Sequence, residues 1–277
     1  MKILYCIINY MYLEFFGFSK KPFENTTERE FFFESQSHIE AYSRISYVVE
    51  DKKPLAMLTG AYGTGKTFVL KAIENDYSKK NYLFSFVSNP SVDEVGIIKL
   101  IVHNFISYKL PESKTDLLIL LEKFLKDTHR DGKHCIVVID EAQNIAYESV
   151  FEEIRMLLNY QINSKPLLTL IISGQSELSE KIASNKQLIQ RVFLTYDIKP
   201  LNEEETRDYV IHRLKIAGRD DVFEDESFPV LYQLSGGIPR WINNISSMAL
   251  LTAFSKKIKT INSKIISEAY SSIKGEV

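Results

Sequence analysis

Cysteine is scarce in this chain of 277 residues: Cys6 and Cys135 stand far apart and form no CxxC pair. Neither a disulfide framework nor a cysteine zinc site is indicated, and a reducing compartment fits. His38, His103, His129, His134 and His212 show no metal-ligand spacing. An excess of either charge is also missing. Lys and Arg number 34 against 36 Asp and Glu, for a net charge of -2 and a pI near 6.3. That balance argues against coating nucleic acid through bulk positive charge, though it leaves room for a local groove. The paired lysines at 52–53, 79–80 and 256–257 read as solvated faces. Uncharged runs of membrane length are absent. The apolar run Ile3–Leu13 stops at Glu14, short of the roughly 20 residues a spanning helix needs, and no small-residue cleavage site follows it. There is no internal repeat and no low-complexity segment.

What is present is an ordinary globular composition, 45% hydrophobic, which fits one large domain or two modest ones. Phe15 to Phe33 reads as an ordered, non-helical, aromatic-rich segment, and Ser35 to Glu50 as a helix with Ser35 as N-cap. Strands are expected at Leu55–Thr59, Tyr82–Val87, Cys135–Ile139 and Leu167–Ser173, with a fifth ending near Ile198. Helices alternate with them at Lys66–Tyr77, Val92–Ser107, Lys114–His129 and Ser149–Tyr160. Such alternation is the mark of βαβ units and a parallel sheet. After Pro200 only helices are expected, from Asn202, Glu226, Pro239 and Asn262, and Asn202 with Glu205 forms a capping box. The organisation read from this is an N-terminal extension and leading segment at 1–34, an α/β P-loop domain at 35–200 and an all-helical lid at 201–277.

Gly60, Ala61, Tyr62, Gly63, Thr64, Gly65, Lys66 and Thr67 match G-x-x-x-x-G-K-[ST], the Walker A pattern. Glycines let the backbone curl so that its N–H groups face phosphate oxygens. The helix that starts at Lys66 and runs on through Phe68 adds its positive dipole end. Lys66 supplies a mobile cation for the β- and γ-phosphates, and the Thr67 hydroxyl is suited to Mg²⁺. A Gly-rich turn with no ligand is the bland alternative. An apolar strand before the loop and a helix after it favour the phosphate reading.

Residues 136–141 read IVVIDE, the Walker B counterpart. Two carboxylates closing a buried strand are costly unless they have a task. Asp140 is placed to hold the Mg²⁺ shell, and Glu141 to polarise a water for in-line attack. Together the two motifs imply ATP hydrolysis.

Further stretches make the likeness more specific. MYLEFFGFSKKPF runs from Met11, GQSEL from Gly174, Gln190-Arg191 precedes the fifth strand, LNEEETRDYVIHRLKIAG runs from Leu201, and GGIPRWIN from Gly236. In this order they resemble the AAA+ ATPases of the ExeA/GspA type, a group that includes pilus-assembly and exosortase-linked ATPases. The resemblance covers about Met11 to Ser272, and it makes the first ten residues an extension in front of the family's start. Ser176 replaces a usual proline and Trp241 a usual aliphatic residue. Larger members continue into a membrane helix, so attachment here is expected through a partner.

The resemblance implies roles as well. Arg191 would be an arginine finger reaching a neighbouring subunit's γ-phosphate, which requires a homo-oligomer, a ring or an arc. Arg240 would be a sensor cation of the lid. Gln175 would orient the attacking water, with Ser173 as its rival. Pro22-Phe23 would line an adenine pocket, whereas Phe31, Phe32 and Phe33 read mostly as core. The expected function is a cytoplasmic, Mg-dependent ATPase that drives assembly of a bacterial secretion or pilus apparatus, free or peripheral at the inner membrane through envelope partners. The alternative is a DNA-associated ATPase that regulates transposition, as TniB-type proteins do.

Overall fold

The computed structural model describes residues 12–26, 28–106 and 109–275. The apolar run at 3–13 falls mostly outside them, as do the first ten residues read as an extension. The chain divides into two compact units. One holds His38–Tyr62 and Lys66–Ile198; the other holds the described residues up to Ser37, Gly63–Gly65 and the described residues from Lys199 on.

The first of these is an α/β unit. After helix α1 (Gln36–Glu50) come β1 (Leu55–Gly60), α2 (Lys66–Tyr77), β2 (Tyr82–Val87), α3 (Glu94–Phe105) and α4 (Lys114–Arg130). Then follow β3 (His134–Ile139), α5 (Glu148–Leu157), a short hairpin of β4 (Gln161–Ile162) and β5 (Lys165–Pro166), and β6 (Leu168–Gly174). Helices α6 (Ser176–Ser184) and α7 (Lys186–Ile189) lead to β7 (Val192–Ile198). Five strands pair in parallel in the order β2-β3-β6-β1-β7. The three central strands are buried along their whole length. That explains their continuous apolar sequences, because a strand covered on both faces has no polar side to show. Each Val, Leu or Ile so buried contributes roughly 1.5–3 kcal/mol.

The register positions the chemistry. Thr59 lies opposite Gly174, and Ile139 opposite Ile172. The carboxyl ends of β1, β3 and β6 therefore stand side by side on adjacent strands. In open α/β sheets that edge is where ligands bind.

The other unit contains α8 (Glu203–Ile216), α9 (Ser227–Ser235), α10 (Pro239–Ser255) and α11 (Ser263–Lys274). Asn202 caps α8 with the reciprocal Glu205 bond, as the sequence indicates, an arrangement worth about 1 kcal/mol. The leading segment belongs to this core: Tyr12, Phe16, Phe18 and Phe23 are buried among residues of the four helices. Arg213, 2% exposed, anchors it. Its Nε donates to the Pro22 carbonyl at 2.7 Å, its Nη2 to the Glu24 carbonyl, and its guanidinium lies 4.2 Å from the Phe31 ring centre.

Two local expectations need correction. The segment from Phe15 to Phe33 is not wholly non-helical: residues 12–16 are helical and Arg29–Phe31 form a 3-10 turn. The hairpin after α5 was not expected. Asn163 and Ser164 carry it with φ of 50° and 62°, the left-handed pair that a tight two-residue hairpin needs. Among the described residues, no helix is long and apolar enough to cross a membrane.

Candidate functional site

Lys66 opens α2 and is buried, only 5% exposed. Its Nζ donates to the carbonyls of Gly60 at 2.8 Å and Ala61 at 3.0 Å. An unpartnered buried ammonium would be expensive, and here the loop's own backbone satisfies it. The loop is curled by positive φ at Gly63 and Gly65, 85° and 100°, angles a side chain resists. Thr64 is fully buried and Tyr62 exposed, while Phe68 is half-buried in the first turn of α2.

One residue into α2, Thr67 donates its hydroxyl to Asp140 Oδ2 at 2.6 Å. The second Asp140 oxygen, Oδ1, accepts from Ser173 Oγ at the end of β6 and from the Glu141 backbone N–H at 3.0 Å. Asp140 is 3% exposed, and these three donors supply the hydrogen bonds that a buried carboxyl group needs. The two motifs and the β6 end thus meet at one carboxylate.

Glu141 follows with φ 52° and ψ 36°, left-handed although it is not glycine. Such a conformation costs on the order of 1–3 kcal/mol and persists where the surroundings impose it. Its carboxylate accepts from Gln143 Nε2 at 2.5 Å. Gln175 enters through its backbone, whose N–H donates to Gln143 Oε1 at 3.1 Å. Of the two residues weighed at the end of β6, Ser173 is therefore the one whose side chain reaches Asp140.

Arg191, just before β7, donates from Nη2 to Asn159 Oδ1 at 3.3 Å. That bond sets it beside the α5–β4 connection rather than in the Thr67–Asp140 network. In the helical unit the Arg240 backbone N–H donates to the Gly63 carbonyl at 3.3 Å. A Cβ at Gly63 would lie 2.7 Å from the Arg240 Cβ, so only glycine allows this approach. Phe23 is taken up by the core, its ring 5.7 Å edge-on from Phe223. Phe31 is buried, and Phe32 and Phe33 are half-buried. Gln143 carried no signal in the sequence. It is one more polar residue after an acidic pair, and its importance lies in contacts that only the folded turn creates.

The family described as an AAA domain matches residues 49–182, a span that includes the phosphate loop, Asp140 and Glu141. Over that span the chain carries an AAA domain. The chain is related to General secretion pathway protein A of Aeromonas hydrophila, with 33% identity over 253 residues, 89% of this chain and 45% of that protein. It spans less than half the length of the curated relatives it matches. Among solved structures it resembles Cdc6p from Pyrobaculum aerophilum, with a TM-score of 0.70, 17% identity, and 93% of this chain and 70% of that one covered. It also resembles the Drosophila ORC bound to DNA, with a TM-score of 0.68, 14% identity, and coverage of 92% and 67%. At such identities these likenesses establish the fold alone, that of AAA+ proteins: a five-stranded parallel P-loop sheet flanked by helices, with a helical C-terminal region.

Proposed function

We propose that this protein hydrolyses ATP to ADP and phosphate with Mg²⁺, and that it uses the cycle to drive assembly or remodelling of a bacterial secretion or pilus apparatus. The observation that carries the secretion reading is the 33% identity to General secretion pathway protein A across 89% of this chain. In this reading residues 35–200 are the ATPase domain and 201–277 its lid. The protein works as a homo-oligomer on the cytoplasmic side and reaches the inner membrane through an envelope partner.

The donors present suit Mg²⁺. Thr67 and Asp140 offer hard oxygens 2.6 Å apart. Among the described residues no group of three or more His, Cys, Asp or Glu is placed to cage a metal. Mg²⁺ favours that situation, taking one or two protein oxygens and completing its shell with phosphate and water. A bound Mg²⁺ would neutralise charge on the phosphate oxygens. Thr67 and Asp140 would hold it. The loop from Gly60 to Thr67 cradles the phosphates, with Lys66 as the cation. Glu141 takes the proton of the attacking water, and Ser173 and Gln175 hold the end of β6 beside it. Arg240 adds a cation next to Gly63. Arg191 serves the site of a neighbouring copy, where its charge offsets that of the transferring phosphoryl group.

The test is genetic. Deleting the coding sequence in the native cell and restoring either the wild type or Lys66→Ala separates the ATPase from its platform. The secretion reading expects exported protein or surface pili to fall on deletion and to return only with the wild type. Unchanged export and piliation, with loss of transposition instead, would contradict it.

A further inference from the structure

Gln143 occupies the middle of the 3-10 turn Ala142–Asn144, two residues beyond Glu141. It bonds in two directions at once. Its Nε2 donates to Glu141 Oε2 at 2.5 Å, and its Oε1 accepts the Gln175 backbone N–H at 3.1 Å. The amide's orientation follows from its neighbours: a carboxylate can only accept, and a backbone N–H can only donate. A flipped amide would set donor against donor and acceptor against acceptor.

The surroundings fix this side chain in place. Lys181, on α6, donates from Nζ to the carbonyls of Gln143 at 2.6 Å and Ile145 at 2.9 Å, pinning the turn. At the end of β6, a Cβ on Gly174 would lie 2.5 Å from Gln143 Oε1 and 2.9 Å from Leu178 Cδ2. Glycine at that position is therefore what leaves room for the amide. Glu141 itself sits on a left-handed backbone that sets where the side chain starts but leaves its rotatable bonds free. The amide selects among those rotamers.

We infer that Gln143 is a positioning residue for ATP hydrolysis, holding the Glu141 carboxylate in one orientation and in register with the end of β6. This rests on the reading of Glu141 as the group that activates water. The amide occupies Oε2 and leaves Oε1 to receive the water's proton. A side chain of this length that donates at one branch and accepts at the other, without charge, does what neither Glu nor Met can do. Glu would repel Glu141, and Met fills the space without either bond.

The experiment is a double-mutant cycle on the full chain. Gln143→Met is measured alone and together with Glu141→Gln, reading kcat, KM for ATP and melting temperature. Gln143→Met is expected to lower kcat by about 10- to 100-fold, with KM within about threefold and little change in melting temperature. In the Glu141→Gln background it should add no further loss, because the carboxylate it orients is gone. Gly174→Ala is the second variant. It crowds the same amide, and its loss of kcat should vanish when Gln143 is already Met. Wild-type kcat in Gln143→Met would overturn the inference. So would a loss that multiplies in full on top of Glu141→Gln, or one that only tracks weakened ATP affinity and melting. If Glu141→Gln itself turned over like the wild type, the underlying reading of Glu141 would fall as well. A silent Glu141→Gln with a fully active Gln143→Met would sink this inference alone.

Discussion

Thr67 Oγ1 donates to Asp140 Oδ2 at 2.6 Å, joining two motifs 73 positions apart in the chain. The bond exists because β1 and β3 flank β6 in the sheet, so the residues that follow each strand converge at one edge. Ser173, on β6 between them, takes the other Asp140 oxygen.

The first prediction concerns that bond. Thr67→Val keeps the shape and removes the hydroxyl, and Asp140→Asn keeps the shape and removes the charge. Both should weaken ATP binding about 10- to 100-fold when Mg²⁺ is present. In excess EDTA the variants and the wild type should bind ATP alike. Titration with a fluorescent ATP analogue in both buffers checks this, and equal weakening in EDTA would count against a metal role.

Arg191 carries the second. Its side chain donates to Asn159 at 3.3 Å, a long, exposed pairing worth little to stability. Arg191→Ala should therefore fold normally, yet lose turnover by about a thousandfold or more if it acts on a neighbour's nucleotide. In the wild type, turnover per subunit should rise with protein concentration. A flat, substantial rate across that range would remove the finger assignment.

Much of this was legible in the sequence for identifiable reasons. β1, β3 and β6 are buried on both faces, so their apolar runs were unbroken. The phosphate loop and the acidic strand end are local signals, each needing only its own few residues. The hairpin at Gln161–Pro166 was missed because two-residue strands have no periodicity to read. Arg213 looked like one more charge on a lid helix. Its burial depends on backbone carbonyls of Pro22 and Glu24, nearly two hundred residues away. Gln143 was silent for the same reason: its partners, Glu141 and Gln175, come together only when β6 is laid beside β3.

A third prediction comes from His134, at the opposite end of β3 from the acidic pair. It is 2% exposed and pairs through Nε2 with Thr169 Oγ1 at 3.0 Å. Thr169 Oγ1 itself donates to the Lys53 carbonyl at 2.8 Å, so it accepts from His134, and Nε2 carries the proton. Burial, helped by the positive charges of Lys52 and His129, pushes the imidazole down from 6.5 to about 4. Above pH 6.5 both folded and unfolded chains hold it neutral. As pH falls from about 6.5 to about 4, the unfolded chain takes up a proton that the folded one refuses, and stability falls. The loss is on the order of 2–3 kcal/mol, complete below about pH 4. Urea unfolding at pH 7 and pH 5 should show it, and His134→Gln, which does not titrate, should flatten the dependence.

The central claim is that ATP is hydrolysed at the meeting point of Thr67, Asp140 and Glu141. Its most direct test is single-turnover hydrolysis by Glu141→Gln beside the wild type, with Lys66→Ala as the blank and ATP binding measured on the same preparations. The expected result is an ATP affinity within about threefold of wild type and a hydrolysis rate reduced by roughly 10²–10⁴-fold. Hydrolysis by Glu141→Gln at the wild-type rate would contradict the account.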